Sequence, residues 1–419
     1  MTSHWKRHTL AAACAAAFPV LAGAQTSDAV LKELQALKAR VEQLESQLKA
    51  ARPPAGAQWG MSPEQAAELN RVVVKTEAME DSRDAAGFKG LKITGSIDPT
   101  YIYNKNQRRG GFQFLNSISD SGYAYDNSYF GTATVDFQKE TDSGTKWRLT
   151  LTPQRGVGAV VDGKSIVQEA SVSVPLDGPT TRLIAGQIPD WSGYEYQQAT
   201  LNKLITHNLL YDFTLPTAYT GAGVELTRGK WIVKAVLANM NATKRSAKEK
   251  TPVVAYRVDY SRGEYQGFGF AGLHGKAANF RSGDVNPVTG NAYDTRDTAI
   301  HLFEIDGYFI RGDVTVQGQI SFGQQRQAAI TADPVTGDLR NARWYGVSAL
   351  AAYKMSPRLE GIVRGDYIHN KKNGGGLLGY NFADDLNGIG PDPAGDPEIG
   401  SNRTALSFGL GYLFNENTT

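Results

Sequence analysis

From Phe88 onward the chain is built of short segments in which apolar and polar residues alternate, joined by connections that are by turns long and tight. Leu91, Ile93, Gly95, Ile97, Tyr101 and Tyr103 alternate with Lys92, Thr94, Ser96, Asp98 and Thr100. Leu406, Phe408, Leu410, Tyr412 and Phe414 do the same with Ser407, Gly409 and Gly411. Successive side chains of a strand point to opposite faces, so each segment has one greasy and one polar face. About fourteen such segments are expected, within a range of about 12 to 16, each long enough for a tilted strand to cross hydrocarbon. The tight connections are Asp142-Ser143-Gly144, Asp177-Gly178-Pro179, Arg228-Gly229, Arg262-Gly263, Arg311-Gly312 and Ser356-Pro357. Between them lie long ones, including Asn104 to Asn127, Trp191 to Tyr219 and Lys371 to Ser401. Long links at one end and turns at the other define an all-β transmembrane antiparallel β-barrel over residues 89–419. A soluble β-sandwich shares the alternation, but Tyr101, Trp147, Trp231, Tyr260, Trp344 and Tyr412 fall near strand ends, where an interfacial girdle needs them.

Ahead of the barrel the chain reads differently. Lys6 and Arg7 precede an apolar run from Leu10 to Leu21 and then Ala22-Gly23-Ala24, the pattern of a signal peptide over residues 1–24. Val30, Leu34, Leu37, Val41, Leu44 and Leu48 are spaced alternately four and three apart, which predicts a coiled coil over 25–52, on the periplasmic side with both chain ends. Pro53-Pro54 stops it and opens a linker over 53–88. Within that linker Ser62 as cap and Pro63 at the first helical position start a second short helix over about 62–80, with a loose stretch after Asp81.

Composition bounds the chemistry. Removing Lys6 and Arg7 takes the formal charge from +2 to 0, so a surface seeking nucleic acid is not indicated. Cys14, the only cysteine, leaves with the signal peptide, and no thiolate metal site or disulfide remains. Residues 158–165 match the phosphate-loop pattern, but the alternation from Gln168 to Val174 demands a strand where a helix would have to follow. No Gly-x-Ser-x-Gly elbow or His-Glu-x-x-His pair is present, so neither an enzyme nor a cofactor is expected. Asp384, Asp385, Asp392, Asp396 and Glu398 fit no defined calcium loop and read as a solvated connection, not a metal site.

The residues Ala185-Gly186-Gln187, Gly193-Tyr194-Glu195, Asn202, Asn208, Pro216, Thr220-Gly221-Ala222-Gly223-Val224 and Trp231-Ile232-Val233-Lys234-Ala235 resemble the OmpL-like family of outer-membrane β-barrel porins, mainly over Gly90 to Asn241. Val74 to Glu80, Gly87 to Lys92 and Asp98-Pro99-Thr100-Tyr101 also look like a Gram-negative outer-membrane group with an N-terminal coiled coil. The resemblance implies a porin passing small hydrophilic solutes or ions, as a homo-oligomer with a trimer favoured. A non-enzymatic, envelope-tethering barrel with a plugged lumen is the other reading. The chain departs from the usual aromatic terminus, since Asn415 to Thr419 follow Phe414.

Two sets of site residues follow. The polar face predicts a balanced lumen lined by Lys92, Asp136, Arg148, Glu169, Glu225, Lys234, Arg257 and Arg364. The link from Trp191 to Tyr219 is too apolar for a segment in water, with Leu201, Leu204, Ile205, Leu209, Leu210 and Phe213. It either folds into the barrel, presenting some of Glu195, Lys203, His207 and Asp212 as a constriction, or caps the mouth or meets another subunit.

Overall fold

A computed structural model describes residues 62–105, 109–114, 131–152, 166–216, 218–240, 251–279, 281–329, 331–370 and 402–415, with Ala39 and Gln43 in addition. The expected signal peptide, nearly all of the coiled coil, the phosphate-loop match and the acidic cluster after Asp384 lie outside the described residues; Ala39 and Gln43 are both helical. The chain divides into two units, residues 1–86 and 87–419.

In the first unit, helix α1 (Pro63–Ala85) begins as expected and ends later. The Ser62 hydroxyl accepts from Gln65 N, and the Gln65 side chain accepts in return from Ser62 N, a reciprocal cap that satisfies two free donors of the first turn. The stretch after Asp81 is helical too, because nothing in Asp81-Ser82-Arg83-Asp84-Ala85 breaks a helix before Gly87.

The second unit holds β1 (Leu91–Ile97), β2 (Thr100–Asn104), β3 (Arg109–Gln113), β4 (Ala133–Glu140), β5 (Lys146–Leu151), β6 (Val167–Pro175), β7 (Thr181–Pro189) and β8 (Ala218–Arg228). It continues with β9 (Trp231–Met240), β10 (Val253–Ser261), β11 (Gln266–Ala278), β12 (Asp297–Arg311), β13 (Val314–Gln325), β14 (Ala342–Ser356), β15 (Leu359–Asn370) and β16 (Arg403–Tyr412). Apart from β2 and β3, which pair with each other, these form one 14-stranded antiparallel sheet in which each strand pairs with the next in order. The six tight turns fall at one end of the sheet; at Arg228-Gly229, for example, Gly229 has φ of +59°, a conformation glycine reaches without steric cost. Among the described residues no helix is long and apolar enough to cross a membrane, and no ladder joins β1 to β16.

The first segment departs from its expected extent. The alternation from Leu91 to Tyr103 reads as one strand, yet the ladder to β4 stops at Ile97 and the hairpin of β2 and β3 starts at Thr100. Pro99 lacks the N–H that a continued ladder needs. The Asp98 carboxylate fixes the break, accepting from the Thr100 hydroxyl at 3.0 Å and from Gly131 N at 3.0 Å.

Burial across the sheet is inverted relative to a water-soluble protein. Phe408 and Leu410 are 75% and 74% exposed, whereas Glu304 and Ser321 are 0% exposed. Residues paired across a ladder share a face, so one inner-face row runs from the partly buried Glu225, Lys234 and Arg257 to the buried Ala271, Glu304 and Ser321. The opposite face presents Val135, Leu183, Val224, Ile305, Val316, Phe322, Val347 and Leu406.

Candidate functional site

What covers the polar face is the segment 190–216. Ser192 and Tyr219 hydroxyls donate to Asp190 at 3.0 and 2.7 Å, fixing the exit from β7. Gly193 then turns at φ +81°, its N–H donating to Glu304 at 2.7 Å, and any Cβ there would run into the Gln319 side chain. A 3-10 turn (Ala199–Leu201) follows, and Asn202 clamps Tyr196 by both amide atoms, at 2.8 and 2.7 Å. Helix α2 (Leu209–Thr214) is capped by the Asn208 side chain, which accepts from Tyr211 N at 2.8 Å. Leu209, Leu210 and Phe213 of α2 are buried in one cluster with Leu273, Ile300, Leu302, Trp344 and Ile368 of the sheet. Fully burying each such side chain contributes about 1.5–3 kcal/mol, which is why this apolar link lies on the sheet and not in water.

The segment reaches both edges of the sheet. Thr200 donates to Ser96 of β1 at 3.4 Å, and Leu204 lies against Gly409 of β16. A 14-stranded sheet whose first and last strands touch one segment on the same face curls around that segment.

Two arginines fasten it. Arg364 of β15 donates to Glu195 at 2.9 Å, to Asp366 at 3.0 Å and to the carbonyls of Thr206 and His207 at 2.6 and 2.7 Å. Glu195 also accepts from Asn208 N at 2.6 Å. The fork geometry of a guanidinium lets one side chain hold two carboxylates and two carbonyls at once. Burial pushes Glu195 up to about 7 even with Arg364 and the Asn208 amide drawing it down. Arg257 of β10 takes Asp306 by both nitrogens at 2.7 and 2.9 Å and donates to the Trp191 carbonyl at 2.6 Å. Tyr194 lies 2.6 Å from Ser348 Oγ, which itself donates to Asp366 at 2.7 Å, so the tyrosine is the donor of that chain.

Next to these anchors in the sheet, β4 to β9 carry charged side chains that are less enclosed on their cationic side. Arg148 bridges Asp136 at 2.8 Å and Glu169 at 3.3 Å, and Lys234 meets Glu225 at 3.3 Å. The Arg148 side chain is 41% exposed and that of Lys234 31%, against 1% for Arg364. The segment touches this wall through Gln197 and Gln168, at 2.9 Å.

The expected constriction set is thus divided. Glu195, His207 and Asp212 do not face open space; all three are buried between segment and sheet, where an ion pair and hydrogen bonds offset the cost of removing them from water. His207 Nδ1 is 3.6 Å from Asp212, too long for a hydrogen bond, and burial pushes the imidazole down to about 4, so it is neutral at neutral pH. Lys203 alone keeps partial exposure, paired to Glu360 at 2.7 Å. Of the expected lumen residues, Arg148, Glu225 and Lys234 are partly exposed, Asp136 and Glu169 are buried beneath Arg148, Arg257 and Arg364 are the anchors, and Lys92 is exposed on β1. Arg182, Gln319, Ser348 and Tyr194 were not foreseen; only the Gly193-Tyr194-Glu195 motif hinted at the last, and each of its three residues proves to hold the segment to the sheet. The strand β6 follows residues 158–165, where phosphate binding needs a helix. Among the described residues no group of three or more His, Cys, Asp and Glu is placed to hold a metal.

A family model described as "Protein of unknown function (DUF3138)" matches residues 61–410, and the chain belongs to that family. No curated protein matches the sequence. Among solved structures the chain is similar to outer-membrane expressed OmpT of Vibrio cholerae, with 11% identity, 78% of this chain and 83% of that chain covered, and a TM-score of 0.48. It is also similar to an anion-selective porin from Comamonas acidovorans (12% identity, 77% and 99% covered, TM-score 0.38) and to the outer membrane channel DcaP of Acinetobacter baumannii (9% identity, 68% and 80% covered, TM-score 0.44).

Proposed function

We propose that the chain is an outer-membrane porin for passive diffusion of small hydrophilic solutes or ions. Its sheet closes between β1 and β16 into a barrel, the signal peptide directs export, and the coiled coil sits in the periplasm and helps hold a trimer. The observation that carries the reading is the pairing of an apolar exposed face with a charged, partly exposed wall beside a packed segment. Large apolar side chains covering a whole exposed face are unfavourable in water and favourable in hydrocarbon. A charged wall beside them requires water on the other side, which is the arrangement of a wetted pore. In this reading solutes pass between Arg148, Glu225 and Lys234 on one side and the segment's Tyr196, Leu201 and Lys203 on the other. The mixed signs favour weak ion selectivity, and the absence of a nucleophile or metal motif in the sequence favours transport over catalysis.

A second reading is favoured by one specific observation. The cluster of Leu210, Phe213, Leu302 and Trp344 packs apolar side chains against the inner side of the sheet. A tethering barrel with a plugged lumen would extend that cluster across the interior. Single-channel recording in planar bilayers separates the two: stepwise conductance that rises when residues 201–210 are deleted supports the porin, and a silent wild-type protein that stays silent after the deletion rejects it.

A further inference from the structure

The exposed, apolar face of the sheet carries a shallow notch of about 430 Å³ at the end nearer the long connections. His274, His301, Gln324 and Arg343 line one side, and they stand opposite one another in successive ladders, a polar row across four strands. Phe303, Phe322 and Tyr345 form the neighbouring row toward the tight turns and line the other side. The histidines are held in place: their Nδ1 atoms meet at 3.1 Å, and the Tyr256 hydroxyl lies 3.1 Å from His274 Nε2. Among the described residues the polar row contains no carboxylate, and Lys276 lies one step further along β11 on the same face.

The height of this row fixes what it meets. From His301 to Arg311 along β12 the outward positions include Phe303, Ile305 and Phe309. About ten residues at about 3.3 Å each, tilted by about 40°, rise about 25 Å, the height of the apolar band of a membrane barrel. The row of His301 and Arg343 therefore stands where hydrocarbon gives way to head groups. A cationic, hydrogen-bond-donating row directly above an aromatic shelf suits a ligand with an anionic head and apolar tails.

We propose that this notch binds a phosphate-bearing lipid of the surrounding leaflet, an inference that rests on the membrane reading above. Arg343 takes the phosphate with its planar fork, Lys276 adds charge, the histidines supply ring N–H donors, and the acyl chains lie over Phe303, Phe322 and Tyr345. The site is on the outside of the sheet and independent of the lumen.

The test uses the full-length protein, folded in detergent as judged by heat-modifiable migration, and native mass spectrometry with three probes: diphosphorylated lipid A, the same glycolipid with its phosphates removed, and inorganic phosphate. Retention of the diphosphorylated lipid in preference to the dephosphorylated one is expected, weakened roughly fivefold in Arg343→Gln and further in Arg343→Gln with Lys276→Gln. Arg311→Gln, at the opposite end of the same face, should leave it unchanged. Equal retention of both glycolipids, unchanged retention in the double variant, or release of the lipid by equimolar inorganic phosphate overturns the proposal. A protein that fails to enter vesicles of any composition overturns the membrane reading itself, a different result from insertion without lipid preference.

Discussion

The two walls that share the polar face of this sheet use the same residue types for opposite ends. On β10 to β16, Arg364 is fully enclosed and Arg257 nearly so, and each holds carboxylates together with backbone carbonyl oxygen of the segment 190–216. On β4 to β9, Arg148 and Lys234 meet carboxylates at similar distances but remain partly in solvent. A buried guanidinium with every partner in place is costly to disturb, because removing it leaves uncompensated charge in a medium that solvates charge poorly. A half-exposed pair is screened and contributes little to stability, yet its field reaches whatever passes beside it. The first wall positions the segment; the second faces the passage proposed above.

The most direct way to break this comparison is to remove one arginine from each wall. Arg364→Met strands Glu195 and Asp366 and should cost about 3–5 kcal/mol, whereas Arg148→Met should cost about 1–2 kcal/mol, because Asp136 keeps Gln138 and Thr150 as donors and Glu169 keeps Ser171. Urea midpoints of heat-modifiable migration measure both, and equal losses would dissolve the distinction. Phe213→Ala comes next, toward the low end of about 3–5 kcal/mol, since Leu209 and Leu210 can partly close the gap; single-channel conductance should rise and become noisier as the segment loosens. Acidification sharpens the contrast further. His207 is pushed below its unfolded value of 6.5 to about 4, so the stabilisation it gives as a neutral group is complete above about pH 6.5 and is lost as the pH falls toward 4. At about pH 5.5 the loss is about 1.4 kcal/mol, and His207→Gln should flatten that dependence in a pH series of unfolding midpoints. The smallest effect on stability belongs to Lys234→Gln, within about 1 kcal/mol, but it should shift the reversal potential in a salt gradient toward cations. A reversal potential that does not move would place Lys234 away from the passage.

Much of the strand architecture was legible from local chemistry. The alternation of Leu406, Phe408 and Leu410 with Ser407 and Gly409, and the turn residues at Arg228-Gly229 or Asp142-Ser143-Gly144, each report on their own few residues, and the ladders follow them. Pro99 escaped because a period-two pattern registers side chains and is blind to a missing backbone donor. The site was legible as a list and not as an arrangement. Glu195, His207 and Asp212 are polar residues in a long connection, which reads as exposure, and only packing revealed that the apolar residues beside them draw all three out of water.

The sequence by itself settled which face of each strand is greasy, that the sheet has about fourteen strands within a range of about 12 to 16, and which connection is too apolar for solvent, because these depend on residue identity and spacing along short stretches. The tertiary structure alone decided which wall the segment 190–216 covers and which arginines it encloses. Arg364 and Glu195 are 169 positions apart in the chain, and their contact exists only because the sheet curls around a segment that touches its first strand and its last. No local pattern encodes that curl; it follows from where the buried apolar area and the charge pairs can be satisfied together.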